Sequence, residues 1–287
     1  MDLNPNPNLW HRHAKYCENF RISGSHKGLT LRLFLQKSQP MKDNFSAQAE
    51  AYSRFRPNYP KEVIDYILSL TPGRENALDL ATGNGQVAKQ LVPHFNKVYA
   101  TDISSRQLEF AASSDQIEYR KESAEQTSFG EAMFDLACAA QSAHWFNHEK
   151  FYPELYRILR PDGVFAVLGY GMIQTPPRTQ KIIDHLYTDI LGPYWDEERK
   201  YLDTHYKTLP FPLAELPAAS FEIVDRWTAD ALIGYLETWS ARGHYLRKTG
   251  IDPIDLVRHE LELVWELGTH EVRFPVLLRL GRPFSKM

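Results

Sequence analysis

Long hydrophobic runs are missing from this sequence of 287 residues. No apolar stretch approaches the roughly 20 residues that a transmembrane helix needs, so we expect no membrane span. Only two cysteines are present, Cys17 and Cys138, which are too few for a disulfide-stapled scaffold. This cysteine usage fits a reducing compartment, and we expect a cytoplasmic protein.

Strong charge of one sign is missing too. The net charge is -3 and no basic stripe is present, so nucleic acid is not an expected partner. No pair of His or Cys residues has ligand spacing on a common element, because His11 and His13 lie in a segment without periodicity. We therefore expect no metal and a partner of small-molecule size.

The first 40 residues differ in composition from the rest. They carry six basic and two acidic residues, whereas the remainder carries 27 basic and 34 acidic residues. Residues 29–35 alternate like a strand, and their apolar core, which Arg32 interrupts, is poor for a secretory signal. The basic, acid-poor composition is also that of a mitochondrial leader, although helical amphipathicity is not evident. We predict a weakly ordered basic N-terminal extension over residues 1–40 and one domain over residues 41–287.

A short apolar strand that runs into a glycine loop is the most informative motif. The letters ALDLATGNGQ, from residue 77, contain Asp79, Gly83 and Gly85, and a helical pattern follows. Backbone amides at such a helix start bind nucleotide-type ligands, and glycines allow a close approach. The spacing also fits a dinucleotide fingerprint. Asp79 would repel a pyrophosphate, however, and attract the ammonium group of an amino acid.

Four further strand patterns follow, over residues 97–102, 117–121, 134–140 and 164–168. Five such units in succession predict a parallel sheet with helices on both faces. Asp102 ends the second strand at the spacing at which an acid meets a ribose diol, and His144 follows the fourth strand. Ligands of such sheets bind at these strand ends.

These motifs resemble those of the class I S-adenosylmethionine (SAM)-dependent methyltransferases. The pattern Asp-x-Ala-x-Gly-x-Gly at residues 79–85 is similar to the first family motif, although Ala81 stands where the family usually has glycine. The segments YSRFRPNYP, HWF and RPDG, which begin at Tyr52, His144 and Arg160, resemble the branch that contains trans-aconitate methyltransferase. The resemblance extends from about Met41 to the C-terminus and is strongest before Gly169.

The fold implied by this resemblance is an α/β three-layer sandwich. Its sheet is seven-stranded, mostly parallel and Rossmann-like, with the last strand antiparallel. The SAM-binding half covers about residues 41–169, a helical lid insertion covers about residues 170–219, and C-terminal strands and helices cover residues 220–287.

The resemblance also implies SAM as the cofactor. The residues expected to bind it are Asp79, Thr82, Gly83, Gly85, Asp102, Ile103, Ala124, Glu125, Tyr52 and Arg56. Gln141 and Trp145 are expected to bind the substrate, and His144 is the catalytic candidate.

The role of His144 depends on the methyl acceptor. A carboxylic acid is ionised at pH 7 and needs no general base. An amine, phenol or alcohol needs one, and His144 would then titrate at about pH 6.5 to 7. On a polyacid, Arg178, Arg242 or Arg247 could neutralise further carboxylates.

We expect SAM-dependent methyl transfer to a small molecule, with O-methylation of a carboxylic acid as the first hypothesis, by a monomer or homodimer. An NAD(P)-dependent oxidoreductase on the same architecture is an alternative, which Asp79 and the absence of a Tyr-x-x-x-Lys spacing oppose. A noncatalytic SAM-binding module is the second alternative, and only turnover separates it from an enzyme.

Overall fold

The computed structural model describes residues 54–111, 114–265 and 268–284. Its strands are β1 (Asn76–Leu80), β2 (Lys97–Asp102), β3 (Ile117–Lys121), β4 (Phe134–Ala140), β5 (Leu159–Tyr170), β6 (Ala214–Leu216), β7 (Glu222–Trp227) and β8 (His270–Arg282). Its helices are α1 (Lys61–Leu70), α2 (Gln86–Leu91), α3 (Ser105–Glu109), α4 (His148–Ile158), α5 (Pro177–His185), α6 (Arg199–Asp203), α7 (Ala229–Glu237), α8 (Ser240–Thr249) and α9 (Arg258–Trp265). Short helical turns cover Val92–His94, Ala143–Trp145, Leu186–Ile190 and Gly192–Tyr194. Tyr52 and the predicted extension over residues 1–40 lie outside the described residues.

The strands form one sheet in the order β3-β2-β1-β4-β5-β8-β6, and β7 pairs with the first half of β8. The first five strands are parallel neighbours. β8 runs antiparallel to both β5 and β6. The predicted mostly parallel sheet with an antiparallel last strand is confirmed. The sequence missed only β6, whose three residues are too few to show an alternating pattern.

Alternation along the strands divides the core into two layers. In β4, Leu136 and Cys138 face the layer that contains residues of α1 and α2, whereas Ala137 and Ala139 face the layer that contains residues of α4. Both faces of the sheet are therefore buried, which explains why the central strands are continuous apolar runs. This arrangement is the predicted three-layer α/β sandwich.

The start of β5 differs from the sequence prediction. Residues 160–163 are predicted as a turn ahead of the fifth strand, but the strand already begins at Leu159. Leu159 pairs with Phe134, the next pair joins Val164 to Leu136, and the register shifts between them. Pro161 and Gly163 of the predicted turn therefore lie inside the strand. More residues of β5 than of β4 separate these two pairs, so the strand is irregular there.

The segment between β5 and β7, where the insertion is expected over about residues 170–219, contains helices, irregular loops and the short strand β6. It contains α5, α6 and two of the short helical turns, and its Leu202 and Tyr206 pack in the same layer as α4. Ile182 and Ile183 of α5 pack instead in the layer of α1 and α2, so this segment contributes to both layers. In the described part of the chain, no helix is both long enough and apolar enough to cross a membrane.

Candidate functional site

The glycine loop between β1 and α2 takes a left-handed backbone at three alternating positions. Ala81, Gly83 and Gly85 have φ values of 51°, 58° and 82°. The loop is held by backbone hydrogen bonds from Gly85 to the Thr82 carbonyl (3.0 Å) and from Thr82 to the Thr101 carbonyl of β2 (2.8 Å). Since φ is positive at Ala81, glycine there would relieve backbone strain, which gives a physical reason for the family's usual glycine.

Asp79 lies at the base of this loop and is buried. Its Oδ2 accepts hydrogen bonds from the Thr82 hydroxyl (2.5 Å) and from the Ala88 amide at the start of α2 (3.0 Å). Its Oδ1 is buried and has no hydrogen-bond partner among the described residues. Burial raises the pKa of Asp79 to about 7, the two hydrogen bonds oppose the rise, and the charge of Asp102 adds to it. A cation beside Oδ1 would therefore stabilise the ionised carboxylate.

Asp102, at the tip of β2, lies next to the same loop and is also buried. Its Oδ2 accepts from the Gly83 amide (2.9 Å) and its Oδ1 from the Ser104 amide (2.8 Å). Ser104 in turn caps α3 by accepting from the Gln107 amide at 3.2 Å. Ile103 lies between them and is half-buried. The tips of β1 and β2 are thus joined through one carboxylate.

Ala124 and Glu125 lie in a tight turn after β3. Ala124 is buried, and the Glu125 amide donates to the Ser123 hydroxyl at 3.1 Å. The Glu125 Oε1 accepts from the Asn147 amide at 2.8 Å, which joins this turn to the start of α4. The structure therefore places the turn beside the segment that follows β4.

The tip of β4 carries Gln141, His144 and Trp145. Gln141 has a positive φ of 52°, and its side-chain amide donates to the Tyr170 carbonyl at 3.2 Å. The rings of His144 and Trp145 are in contact, with centroids 4.9 Å apart. The Nδ1 atom of His144 lies 3.2 Å from the hydroxyl oxygen of Tyr206, a residue of the insertion.

The environment of His144 lowers its basicity. The side chain is buried, and burial lowers its pKa from 6.5 to about 3, with smaller contributions from the charges of Arg199 and His148. His144 is therefore neutral through the ordinary assay range. The inflection near pH 6.5 to 7 expected for an ordinary imidazole base does not apply to this side chain.

A cleft opens at the tip of β4. It is lined by residues from four parts of the chain, which are Arg56, Gln141, His144, Trp145, Trp195, Asp196, Arg199, Leu202, Trp239 and Ser240. The structure thus brings together His144, Gln141, Trp145 and Arg56. Arg56 donates to the Tyr170 hydroxyl (2.9 Å) and to the Thr238 carbonyl (3.1 Å).

Arg199 contributes a second guanidinium group to the cleft, from α6 of the insertion. Its guanidinium carbon lies 4.8 Å from the ring centroid of Trp195 and 5.2 Å from that of Tyr187. Its Nε donates to the Tyr187 hydroxyl at 2.9 Å. These contacts fix the orientation of the guanidinium group.

Sequence reasoning missed this part of the cleft wall. The cluster of aromatic residues in the insertion predicts a cover, but nothing in it selects Arg199 over other basic residues. The three arginines suggested from the sequence do not line the cleft. Arg242 pairs with Asp252, Arg247 donates to His244, and Arg178 lines a separate cavity with Trp265.

No group of three metal-ligating side chains lies together within the described ranges. The described site therefore consists of a nucleotide-type loop with two buried carboxylates, and of a cleft with two arginines and a neutral histidine beside it.

Comparisons with known proteins agree with this geometry. A family model described as a methyltransferase domain matches residues 78–167, which run from β1 into β5. A solved structure from Anaeromyxobacter dehalogenans, classed as a type II methyltransferase, is 37% identical, covers 79% of this chain and 98% of its own, and has a TM-score of 0.73.

Two curated proteins are also similar. One from Dictyostelium discoideum, classed as a methyltransferase, is 29% identical over 249 residues, which are 84% of this chain and 95% of the relative. One from Saccharomyces cerevisiae, classed as an S-adenosylmethionine-dependent methyltransferase, is 27% identical over 185 residues, which are 60% of this chain and 63% of the relative.

Proposed function

The chain belongs to the class I SAM-dependent methyltransferases, and we propose that it methylates a small carboxylic acid, as a member of the branch that contains trans-aconitate methyltransferase. The observation that carries this proposal is the cleft beside the tip of β4, which two guanidinium groups line, from Arg56 and Arg199. The described lining also contains an acid, Asp196, whose Oδ2 atom lies 3.1 Å from His244 Nε2. Among the described lining residues, with His144 neutral, two guanidinium groups stand against this one carboxylate, and Arg199 also pairs with Asp203 at 3.4 Å. The two guanidinium groups favour an anionic acceptor.

SAM is the cofactor, and the residues around the glycine loop fit it. The buried Oδ1 of Asp79 lacks a hydrogen-bond partner among the described residues, and it suits the ammonium group of the methionine part. Among the described residues, a Cβ atom added at Gly83 would meet only Gln107 Oε1, at 3.7 Å, so the loop leaves room for a ligand. We propose that Asp102 holds the ribose and that Ala124 and Glu125 contact the adenine. Thr82, Gly85 and Ile103 would complete this site.

The proposed reaction asks little acid–base chemistry of the protein. When bound, SAM supplies an electrophilic methyl group on a sulfonium centre. A carboxylate acceptor, with a pKa of about 4 to 5, is already ionised at neutral pH. The chain must then orient the acceptor and exclude water, and Gln141, His144 and Trp145 are placed to do both from the tip of β4.

The alternative functions have less support. An NAD(P)-dependent oxidoreductase would need a pyrophosphate close to Asp79, and the similar proteins are methyltransferases. A noncatalytic SAM-binding module would have no use for a lined cleft beside the cofactor loop.

A panel of acceptors tests the proposal. We would measure transfer of labelled methyl from SAM to mono-, di- and tricarboxylic acids, to their amides, and to amines and phenols. We expect a base-labile methyl ester from at least one acid and no product from the matching amide. Transfer to amines or phenols alone would refute the carboxylic acid proposal.

A charge-removing variant adds a second measurement. Arg199→Met should raise the KM for the acid by about ten- to a hundredfold, since a hydrogen bond to a charged group contributes about 1.5 to 3 kcal/mol. The affinity for S-adenosylhomocysteine (SAH) should not change. Lys200→Met is the matched control, because Lys200 is exposed on the same helix and does not line the cleft.

A further inference from the structure

The insertion contacts His144 directly, through the hydroxyl of Tyr206. The Nδ1 atom of His144 and the Tyr206 oxygen are 3.2 Å apart, and both side chains are buried. The other ring nitrogen, Nε2, has no hydrogen-bond partner among the described residues, and His144 lines the cleft. Nε2 is therefore the nitrogen available to a molecule in the cleft.

The direction of the hydrogen bond between Tyr206 and Nδ1 of His144 decides whether Nε2 offers the cleft an N–H donor or an acceptor nitrogen. A neutral imidazole has one N–H donor and one acceptor nitrogen, and a phenol can donate or accept. The imidazole nitrogen is a much stronger base than a phenol oxygen, so the favoured arrangement has the phenol donating to Nδ1. The imidazole proton must then reside on Nε2.

Tyr206 is held rigidly enough to impose this arrangement. It has a left-handed backbone, with φ of 59°, and so has His205 before it. Its ring packs against Gly169 so closely that a Cβ atom there would lie 2.6 Å from the ring. Its carbonyl accepts from Arg279 at 3.0 Å. Backbone strain at a non-glycine residue persists only where the surroundings fix it.

We infer that Tyr206 is a positioning residue that donates to Nδ1 and holds His144 as the Nε2-protonated tautomer, so that the cleft presents a neutral N–H donor. Such a donor recognises an oxygen lone pair of the acceptor and does not remove a proton from it. The part that concerns the acceptor rests on the proposed function, whereas the tautomer is a property of the protein alone.

The charges around His144 support the neutral form. Burial and the neighbouring Arg199 and His148 lower the pKa of the imidazole to about 3, so it keeps a single N–H at neutral pH. The titratable and charged groups that face it come from the insertion, from α4 and from the opposite wall of the cleft. They are Arg199, Tyr206, His148, Arg56 and Asp196.

The tautomer is measurable in the full-length protein by NMR with ¹⁵N-labelled histidine, with the His144→Asn variant used to assign the signals. We expect the His144 Nδ1 signal at the downfield position of an unprotonated nitrogen and the Nε2 signal at that of a protonated one. The same pattern should hold from about pH 5.5 to 8. Observation of the proton on Nδ1 would overturn the inference, and this measurement needs no folded variant of Tyr206.

Tyr206→Phe tests the positioning role. It should mix the two tautomers and raise the acceptor KM about fivefold, the effect of one hydrogen bond, with SAH affinity unchanged. Tyr152→Phe is the control. Tyr152 lies in the same buried cluster, and its hydroxyl donates to the Pro210 carbonyl, so this variant loses a comparable bond without touching His144. An unchanged tautomer in Tyr206→Phe, or an equal rise in KM in both variants, would reduce Tyr206 to a packing residue.

The outcomes separate this inference from the proposed function. The Nε2-protonated tautomer together with no methylation of any acid would retain the positioning role and refute the acceptor. Methylation of an acid together with an Nδ1-protonated His144 would retain the acceptor and refute the positioning role of Tyr206.

Discussion

Gly83 donates its backbone N–H to the Oδ2 atom of Asp102, with an N···O distance of 2.9 Å, across the tips of two neighbouring strands. The second oxygen of Asp102 accepts from the Ser104 amide, at the start of the next helix. One carboxylate thus joins the glycine loop to the segment at the start of α3.

Removing this carboxylate should weaken SAM binding strongly. We expect Asp102→Ala to lower the affinity for SAH by about ten- to a hundredfold, because hydrogen bonds to a charged acceptor contribute about 1.5 to 3 kcal/mol. Isothermal titration calorimetry measures the change, and Asp162→Ala, at an exposed position in β5, is the control. An unchanged affinity would remove Asp102 from the cofactor site.

The two glycines of the loop should respond differently to alanine. At Gly83 a Cβ atom would meet, in the described part of the chain, only Gln107 Oε1 at 3.7 Å, so Gly83→Ala should cost about 1 kcal/mol of left-handed strain and block the ligand. At Gly85 it would lie 2.3 Å from the Tyr119 hydroxyl oxygen. Gly85→Ala should therefore lose more stability, roughly 1 to 3 kcal/mol beyond the strain.

Chemical denaturation and SAH calorimetry on both variants test this difference. Adding Tyr119→Phe to Gly85→Ala removes the clashing hydroxyl and should restore part of the lost stability. Equal losses of stability at the two positions would contradict the geometry of the loop.

Much of the sheet could be predicted because its buried strands coincide with apolar runs in the sequence. β1 and β4 are largely apolar runs, since both faces of the sheet are covered, and two of the three left-handed positions of the loop fall on glycines, Gly83 and Gly85. The acids that contact the loop, Asp79 and Asp102, lie at or near strand ends, so their proximity follows from the parallel topology alone.

The cleft wall could not be predicted in the same way. Arg199 reaches the cleft through a short helix in an irregular insertion, and nothing in the spacing of Arg178, Arg242 and Arg247 shows that they lie elsewhere. The pairing of Arg242 with Asp252 depends on how α8 packs, which is a tertiary property. The low pKa of His144 likewise depends mainly on its depth of burial, which is also a tertiary property.

The basic N-terminal segment is a separate prediction from composition. We expect a chain that begins at Met41 to keep the melting temperature and the turnover of the full-length protein, because no chemical motif precedes Met41. Differential scanning calorimetry and a methyl-transfer assay on the two proteins make the comparison. A loss of several degrees on truncation would show that the segment from Leu29 to Leu35 contributes to the fold, and the predicted boundary would be withdrawn.

The buried Asp79 should make cofactor binding depend on pH. Its pKa is about 7 in the folded protein and 3.8 ordinarily, with burial as the main cause. The ionised form attracts an ammonium group, so SAH affinity should rise with pH from about 5.5 to 7.5, with release of a proton on binding. Calorimetry in buffers of different ionisation enthalpy measures both, and in Asp79→Asn the affinity should be weaker and independent of pH over this range. A flat profile in the unsubstituted protein would contradict the proposed ammonium contact.

The same carboxyl has the opposite effect on the ligand-free fold. Between about pH 4 and pH 7 the folded state binds more protons than the unfolded state, so stability from this group falls as pH rises through that window. Asp79→Asn should therefore raise the melting temperature of the ligand-free protein at pH 8, where a poorly solvated carboxylate costs roughly 1 to 3 kcal/mol. A lower melting temperature at that pH would mean that the carboxylate is already compensated in the ligand-free protein.

The last prediction separates cofactor binding from chemistry. With an acid as acceptor and SAM at saturation, kcat should stay nearly constant from about pH 6 to 9, because the acceptor is ionised and His144 is neutral throughout. The KM for SAM should rise below about pH 7, since Asp79 becomes protonated there.

A flat kcat alone would not exclude a histidine base, because a group with a pKa of about 3 shows no inflection in this range. His144→Gln and His144→Ala decide the point. If the imidazole donates a hydrogen bond, the Gln variant, which keeps an N–H, should retain most of the activity and the Ala variant should mainly raise the acceptor KM. If it removes a proton, both variants should lose the ~10² to 10⁴ in kcat that acid–base catalysis contributes, and the acceptor would then be an amine, phenol or alcohol.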